Sequence, residues 1–343
     1  MLEKPDLQDE RIVTCLLDEY RLNAVQVDFL PLGADRNTAV YRVVAEDKTS
    51  YFLKLRSGTF DEISVALPKF LSDQGIAQII PPLTTRTGQL RANLSIFKVI
   101  LYPFVEGRNG YEANLSDRHW DDFGTALKRI HTITLPPVLL KGIRRETYSA
   151  QWREIVKTFL KRIETNVFDD PIALELVAFL QARRADVFDL VRRAEHLAYV
   201  LRTETLEFVL CHSDVHAGNI LIGADGAFYI VDWDDPILAP KERDLMFVGG
   251  AQGFAGHTAS EEETLFYRGY GQTQINPIAL AYYRYERIVE DIAAFCEQLL
   301  LTNEGGEDRA PSLHYLKSNF LPHGTIETAY ESDKTLSRWS TIN

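Results

Sequence analysis

The chain has 343 residues, with 37 basic and 49 acidic side chains and a formal net charge of -12 at pH 7. A chain of this length forms one large domain or two ordinary ones, at roughly 150 residues per domain. The acidic surplus argues against a nucleic-acid partner, because a phosphate backbone requires a basic protein surface. The same surplus is compatible with a cationic small-molecule ligand.

The sequence carries no recognisable signal for export or for membrane insertion. Residues 1–6 lack the basic and apolar regions of a signal peptide, and no stretch reaches roughly 18 uncharged apolar residues. Cys15, Cys211 and Cys296 are far apart and odd in number, which predicts neither a disulfide framework nor a zinc site. We therefore expect a cytoplasmic protein with reduced thiols and no membrane partner.

The first third of the chain favours strands with one or two helices. Apolar residues at helical spacing indicate helices, and short β-rich runs bounded by polar turns indicate strands. In chain order we predict a helix over 11–20, a strand over 26–30, a hairpin of 39–44 with 51–55, a short helix over 62–74 and a buried strand over 97–105.

After the glycine-rich stretch at 106–110, the pattern becomes mainly helical. Apolar residues three or four positions apart predict helices through 120–130 and 152–163, with helical structure continuing to about residue 202. A β interlude follows, in which Asp225-Gly226 joins two β-rich runs as a hairpin turn. The last clear helix spans 278–301.

One short region carries a recognisable chemistry. His212 and Asp214 are followed by Asn219, then by the hairpin, and Asp232 ends its second apolar strand. Phosphoryl transfer requires these parts, because a carboxylate must orient the attacking hydroxyl while an amide oxygen and a second carboxylate hold divalent metal ions. The alternative is a loop Asp that caps a turn. The complete order of motif, hairpin and terminal Asp favours catalysis by Asp214, with Asn219 and Asp232 as Mg2+ ligands.

A kinase also needs a lysine on an N-terminal strand to contact the nucleotide phosphates. Lys54, among the apolar residues of 51–55, fits this position. We predict Glu62 as its carboxylate partner in preference to Asp61, both lying at the start of the following helix.

The run from Cys211 to Asn219 and the run from Asp232 to Phe247 resemble the aminoglycoside phosphotransferase and choline kinase family. The likeness extends over nearly the whole chain, and it is most detailed to the members that phosphorylate spectinomycin. It implies a two-lobed, protein-kinase-like α+β fold with a small β-rich N-lobe and a larger, mainly helical C-lobe. The expected domains are a nucleotide-binding lobe at 1–105 with a hinge at about 102–107, and a C-terminal lobe at 108–343 that carries the catalytic loop and substrate site.

The resemblance implies ATP as the phosphoryl donor, bound by Lys54. It also implies that backbone groups around the hinge receive the adenine; these candidates are Tyr102, Pro103, Phe104 and Val105. The glycine-rich nucleotide loop of protein kinases is missing, since 33–38 has a single glycine. Our candidate nucleotide contacts in that loop are Asp35, Asn37 and Thr38.

Substrate contacts are harder to assign from sequence. Asp234 and Asp235 follow the predicted metal ligand Asp232, and Glu290 lies on an acidic face of the C-terminal helix. We predict that these acids attract the amines of a cationic aminocyclitol. The alternatives are a solvated loop or hydrogen bonds around the metal for the first two, and pairing with helix arginines for Glu290.

These observations predict an ATP-dependent kinase that phosphorylates a hydroxyl of an aminocyclitol antibiotic, in particular spectinomycin, and so inactivates it. An alternative is the same chemistry on a cellular metabolite of the choline, methylthioribose or homoserine type, which the catalytic loop does not distinguish. A non-catalytic ATP-binding regulator is disfavoured, because it would not need Asp214, Asn219, Asp232 and Lys54 together.

Overall fold

A computed structural model describes residues 4–33, 37–302 and 305–339 of the chain. The N-terminal region is built on a β-sheet and the C-terminal region is mainly helical, which confirms the predicted α+β class. The helices are α1 (Asp9–Tyr20), α2 (Ile63–Asp73), α3 (Asp117–Thr132), α4 (Pro137–Gly142), α5 (Gln151–Thr165), α6 (Pro171–Ala182), α7 (Arg184–Leu201), α8 (Glu242–Leu245), α9 (Ala259–Tyr270), α10 (Pro277–Leu301), α11 (Arg309–Ser318) and α12 (Thr325–Trp339). The strands are β1 (Ala24–Leu30), β2 (Thr38–Ala45), β3 (Ser50–Arg56), β4 (Ala92–Leu94), β5 (Phe97–Pro103), β6 (Gly107–Asn109), β7 (Arg144–Arg145), β8 (Val209–Cys211), β9 (Ile220–Gly223), β10 (Phe228–Ile230) and β11 (Ile237–Ala239).

The chain forms two compact units. The first unit contains Met1–Leu115, Thr134–Ile143 and Ala217–Pro236, and the second contains Ser116–Ile133, Arg144–His216 and Ile237–Asn343. This division rests on contacts within the chain. The assignment of nucleotide binding to one lobe and of substrate binding to the other stays a prediction. Among the described helices, none combines the length and the apolar character needed to cross a bilayer.

The first unit is organised by a five-stranded antiparallel sheet in the order β1-β2-β3-β5-β4. The predicted hairpin is present as β2 and β3, with Val40 opposite Lys54. Leu53 and Leu55 are fully buried in the apolar cluster that packs against α1. Successive strand residues point to opposite faces, so Lys54 and Arg56 project from the other side of β3.

The second predicted hairpin is also present in the first unit, as β9 and β10 beside β6. Gly226 has a φ of +77° in the connecting turn, a conformation that glycine adopts without steric cost. The amide of Val231 donates to the carbonyl of Asn219 at 3.0 Å. The hairpin therefore returns Asp232 to the end of the ladder where Asn219 lies.

The second unit is arranged around α10, which packs against α5, α7 and α12. Its buried face carries aromatic and branched side chains; the largest fully buried members are Tyr282, Tyr283 and Tyr285. Helices α3 and α9 approach closely at two glycines. A methyl group at Gly124 would lie 2.0 Å from the carbonyl oxygen of Phe266, and one at Gly269 would lie 1.9 Å from that of Asp121.

This close approach predicts that Gly124→Ala destabilises the protein. The added methyl group must separate α3 from α9, and overpacking of this kind costs about 1–3 kcal/mol. Thermal unfolding should show a lowered Tm, whereas Arg118→Ala, at a largely exposed position of the same helix, should leave it nearly unchanged. Equal Tm values for Gly124→Ala and wild type would contradict the packing described here.

Candidate active site

An ion cluster in the first unit surrounds Lys54. The Nζ atom of Lys54 donates to Asp232 Oδ1 at 2.9 Å and to Asp234 Oδ2 at 2.8 Å. Arg56 lies on the same face of β3, and its Nη1 is 2.5 Å from Asp234 Oδ2. One strand face thus presents two cations that share one carboxylate.

The charges of this cluster depend on one another. Burial alone would lower the pKa of Lys54, but Asp232 and Asp234 outweigh it and raise that pKa above its usual range. Burial, together with the neighbouring Asp232, raises the pKa of Asp234, while Lys54 and Arg56 oppose the shift. Lys54 is therefore a fixed cation, suited to bind phosphate oxygens.

Asn219 and Asp232 supply the oxygen atoms that a divalent metal ion of the Mg2+ type prefers. Asn219 is buried at the end of a short 3-10 turn, and Asp232 is half-exposed beyond β10. Asp232 adopts a φ of +65°, a conformation that is uncommon outside glycine and is concentrated at functional sites. The donor chemistry of this pair fits the predicted metal ion.

Glu62 does not lie beside Lys54. It is exposed just before α2, and its Oε1 accepts from Arg91 Nε at 2.8 Å. The partner carboxylates of Lys54 are instead Asp232 and Asp234, so the predicted pair of Lys54 with Glu62 is wrong for this structure. A nucleotide-binding role for Glu62 stays a prediction that its contacts do not support.

The remaining predicted nucleotide residues lie in the first unit at two places. Tyr102 and Pro103 end β5, the neighbour of β3, and the amide of Phe104 donates to the carbonyl of Ser50 at 3.3 Å. Asn37 immediately precedes β2, which begins with the buried Thr38. Asp35 lies outside the described residues, and Val105 follows Phe104 as a half-buried residue.

The second unit holds residues 212–216 of the predicted catalytic loop, and a buried carboxylate supports them. Asp244 has no exposed surface; its Oδ2 accepts from the His212 amide at 2.9 Å and its Oδ1 from the Ser213 amide at 2.7 Å. His131 Nε2 lies 3.0 Å from the same carboxylate, and its Nδ1 lies 2.8 Å from the hydroxyl of Tyr270. Asp244 therefore supports this segment through hydrogen bonds from two backbone amides.

Asp214 follows this support directly and is half-buried. Its Oδ1 accepts from Arg287 Nη1 at 2.5 Å, and its Oδ2 lies 3.5 Å from His216 Nε2. Burial alone would raise the pKa of Asp214, but Arg287, with help from His216 and His212, holds it well below its usual range. The Asp214 carboxyl group is therefore ionised at neutral pH.

The acidic face predicted on α10 is mostly buried and paired. Glu286 forms an ion pair with the buried Arg153, and burial raises the pKa of Glu286 to about 7. Glu290 Oε2 lies 3.6 Å from Arg243. Of the predicted substrate residues, Glu290 is thus half-buried in an ion pair, while Asp235 is exposed.

Two cations of these clusters were not predicted as site residues. Arg56 follows Lys54 by two positions, a spacing that places both on one strand face, so the pattern of β3 contained a usable signal. Arg287 is one of the helix arginines that the sequence offers as partners of Glu290. Its contact with Asp214 joins residues 73 positions apart, which local patterns do not report.

The support of the catalytic loop predicts a large effect of Asp244→Asn. The Asn side chain has no charge and only one acceptor oxygen, so one of the two buried backbone N–H groups loses its partner. The expected cost is on the order of 3 kcal/mol. Thermal unfolding should show a markedly lowered Tm, and the control Asp122→Asn, at a more exposed position on α3, should change it little. Wild-type stability for Asp244→Asn would contradict this role of the carboxylate.

Residues 28–274 match the sequence model of the phosphotransferase enzyme family. A crystal structure of spectinomycin phosphotransferase in complex with ADP and spectinomycin superposes with a TM-score of 0.89 at 38% identity, covering 96% of this chain and 99% of the other. An amicoumacin kinase in complex with AMP-PNP, Ca2+ and Ami has a TM-score of 0.61 at 17% identity, covering 93% of this chain and 95% of the other, and supports the fold alone. Protein StrN of Streptomyces griseus is 25% identical over 231 residues, 64% of this chain and 67% of that protein. These similarities confirm the predicted kinase-like fold and the predicted family resemblance.

Proposed function

We propose, from the premise that this chain belongs to the phosphotransferase enzyme family, that it transfers the γ-phosphoryl group of ATP to a hydroxyl of spectinomycin. As a member of this family the chain is a small-molecule kinase. The observation that carries the choice of acceptor is the 38% identity to a spectinomycin phosphotransferase over 96% of this chain. Phosphorylation of the antibiotic would inactivate it and protect the host cell.

Asp214 is the proposed catalytic residue. The acceptor hydroxyl attacks the γ-phosphorus, the bond from phosphorus to the β,γ-bridging oxygen breaks, and ADP leaves with that electron pair. The hydroxyl proton passes to the Asp214 carboxylate and then to solvent. The low pKa of Asp214 makes it a weak base, which suits a loose transition state in which the hydroxyl needs orientation more than early deprotonation.

Lys54 and Arg56 supply positive charge for the nucleotide phosphates. Asn219 and Asp232 are the proposed ligands of a divalent metal ion, for which their oxygen atoms are suited. Such an ion, when bound, neutralises charge on the phosphate oxygens. The spectinomycin phosphotransferase relative is in complex with ADP, which supports nucleotide use by this chain.

The choice of acceptor is tested by measuring ADP release with spectinomycin, other aminoglycosides, choline and methylthioribose under identical conditions. The proposal predicts the highest kcat/KM for spectinomycin. Turnover of choline or methylthioribose, with none of spectinomycin, would contradict the proposed acceptor and favour a cellular metabolite in its place. Nucleotide binding without phosphoryl transfer to any compound would contradict a kinase function.

Removal of the catalytic carboxylate should abolish turnover without abolishing nucleotide binding. Asp214→Ala should lower kcat by about 10²–10⁴-fold, the usual contribution of a positioned base. Calorimetric titration should give an ADP affinity near that of wild type, because Asp214 is not proposed as a nucleotide contact. Retained turnover in Asp214→Ala would exclude this residue as the proton acceptor.

The contacts of Asp234 favour a nucleotide role over the predicted contact with the acceptor. Asp234→Asn removes the carboxylate that holds Lys54 and Arg56 on one strand face, at a cost of about 1.5–3 kcal/mol for a charged hydrogen bond. We therefore expect the KM for ATP to rise roughly tenfold or more, while the KM for the acceptor changes little.

The exposed neighbour Asp235 provides the matched control for this experiment. Asp235→Asn should leave the KM for ATP unchanged and raise the KM for a cationic acceptor, since it is the predicted amine contact. If Asp234→Asn changed the KM for the acceptor and not the KM for ATP, the result would favour the predicted substrate contact of Asp234 over a nucleotide role.

A further inference from the structure

Arg287 lies midway along α10, and two carboxylates hold its guanidinium group. Its Nη1 donates to Asp214 at 2.5 Å, and its Nε lies 3.1 Å from Asp291 Oδ1, one helical turn further on. The Phe247 ring lies on another side, with its centroid 6.0 Å from the guanidinium carbon. The side chain is 20% exposed. A planar group fixed on several sides presents its donors in one orientation.

The pair formed by Arg287 and Asp214 differs from an ordinary surface ion pair. Exposed pairs contribute little, because water screens them and both side chains lose entropy. Here the cation is largely buried and also forms an ion pair with Asp291, so less entropy is lost when it binds Asp214 than in an exposed pair. One oxygen of the proposed proton acceptor is thereby tied to a rigid helix within the same unit.

We propose that Arg287 is a positioning residue that fixes the orientation of the Asp214 carboxylate and keeps it ionised for phosphoryl transfer. The kinetic test of this proposal rests on the proposed function. Arg287 is proposed to act through Asp214 and not by contact with the reacting atoms. Because the guanidinium carries a positive charge, it also offsets part of the attraction that Asp214 exerts on a cationic acceptor. Arg287 therefore increases kcat without improving acceptor affinity.

The charged groups around Asp214 determine its response to pH. The catalytic loop contributes His212 and His216, and α10 contributes Arg287, Asp291 and Glu290. Arg243 of α8 is paired with Glu290 at 3.6 Å. Arg287 has the largest lowering effect on the pKa of Asp214 and opposes burial. Its removal should therefore raise that pKa, while His216 and His212 still lower it. An opposite charge at this range shifts a carboxyl pKa by about 1–3 units.

The test compares Arg287→Met and Arg287→Lys with wild type by measuring kcat and KM for spectinomycin between pH 5 and 9. The ratio of wild-type to variant kcat/KM cancels the ionisation of ATP and acceptor. For Arg287→Met, kcat should fall about 10²-fold, the scale of a misplacement of about 1 Å. The acceptor KM should not rise. The ratio should increase toward the acid end of the range, because the protonated fraction of Asp214 begins to grow at a higher pH in the variant than in wild type. Arg287→Lys retains the charge, so its ratio should stay flat with pH.

Arg284→Met is the matched control, because Arg284 is a second buried arginine on α10. It donates to the carbonyl of Val248 at 3.1 Å and to the hydroxyl of Ser332 at 2.8 Å. This variant should lower stability and leave the pH dependence of kcat/KM as in wild type. A pH-independent ratio for Arg287→Met, the same pH dependence in Arg284→Met, or a raised acceptor KM with unchanged kcat would overturn the proposal.

A stability measurement tests the same pair without any turnover. In wild type the pKa of Asp214 is depressed, so its contribution to stability is present above its unfolded-state pKa and is lost as pH falls toward the folded-state value. In Arg287→Met the pKa of Asp214 should lie closer to its unfolded-state value, so the contribution of Asp214 to stability should change less with pH. The difference in unfolding free energy between wild type and Arg287→Met should therefore shrink from pH 7 to pH 4.

Asp214→Asn serves as the background that isolates this effect. In the Asp214→Asn background, residue 214 no longer titrates. The effect of Arg287→Met on the free energy of unfolding should therefore change less between pH 7 and pH 4 than it does with Asp214 present. An identical pH dependence with and without Asp214 would overturn the proposal. Absence of wild-type turnover on every acceptor would contradict the proposed function, while this stability difference would still decide the role of Arg287.

Discussion

The predicted catalytic loop depends on the hydrogen bonds that the buried Asp244 carboxylate accepts. An isolated carboxylate inside a protein is costly, and this one is tolerated because two backbone amides and His131 surround it. His131 belongs to α3 and contacts Tyr270 of α9, so the same hydrogen-bond network connects the loop to a closely packed helix pair. Ser213 has a φ of +76°, which is an uncommon conformation for a residue other than glycine. The hydrogen bonds from the His212 and Ser213 amides to Asp244 help to hold it. The position of Asp214 thus follows from a buried network rather than from local loop preferences.

The electrostatic environment of Asp214 favours orientation over basicity. A guanidinium at 2.5 Å depresses the pKa of the carboxyl group, which weakens it as a base and preserves its charge. That compromise suits phosphoryl transfer, in which positioning and charge stabilisation contribute most of the catalysis. The charges of α10 explain why net charge alone is a poor guide to the ligand. Glu286 and Asp291 are paired with Arg153 and Arg287, so part of the acidic surplus is used inside the protein and not offered to a cationic acceptor.

Local patterns predicted the elements of this fold well, and long-range pairing explains what they left out. The hairpin around Asp225-Gly226 and the helix at 278–301 were predicted because turn chemistry and helical periodicity are local signals. The partner of Lys54 was misassigned, because the bonds to Asp232 and Asp234 span 178 and 180 positions. The phase of α2 could not be read from sequence either, and Glu62 faces Arg91. Residues 217–236 belong to the first unit although they lie far along the chain from its N-terminal part. This placement depends on tertiary contacts, which local sequence patterns do not report.

The central claim is that Asp214 directs the γ-phosphoryl group of ATP onto a hydroxyl of spectinomycin. The most direct measurement is 31P NMR of ATP and spectinomycin incubated with wild type and with Asp214→Ala. The account predicts that wild type converts the γ-phosphate signal into a phosphomonoester signal coupled to a carbon-bound proton of spectinomycin, while Asp214→Ala leaves ATP intact. Formation of inorganic phosphate alone, or equal phosphomonoester from both proteins, would contradict it.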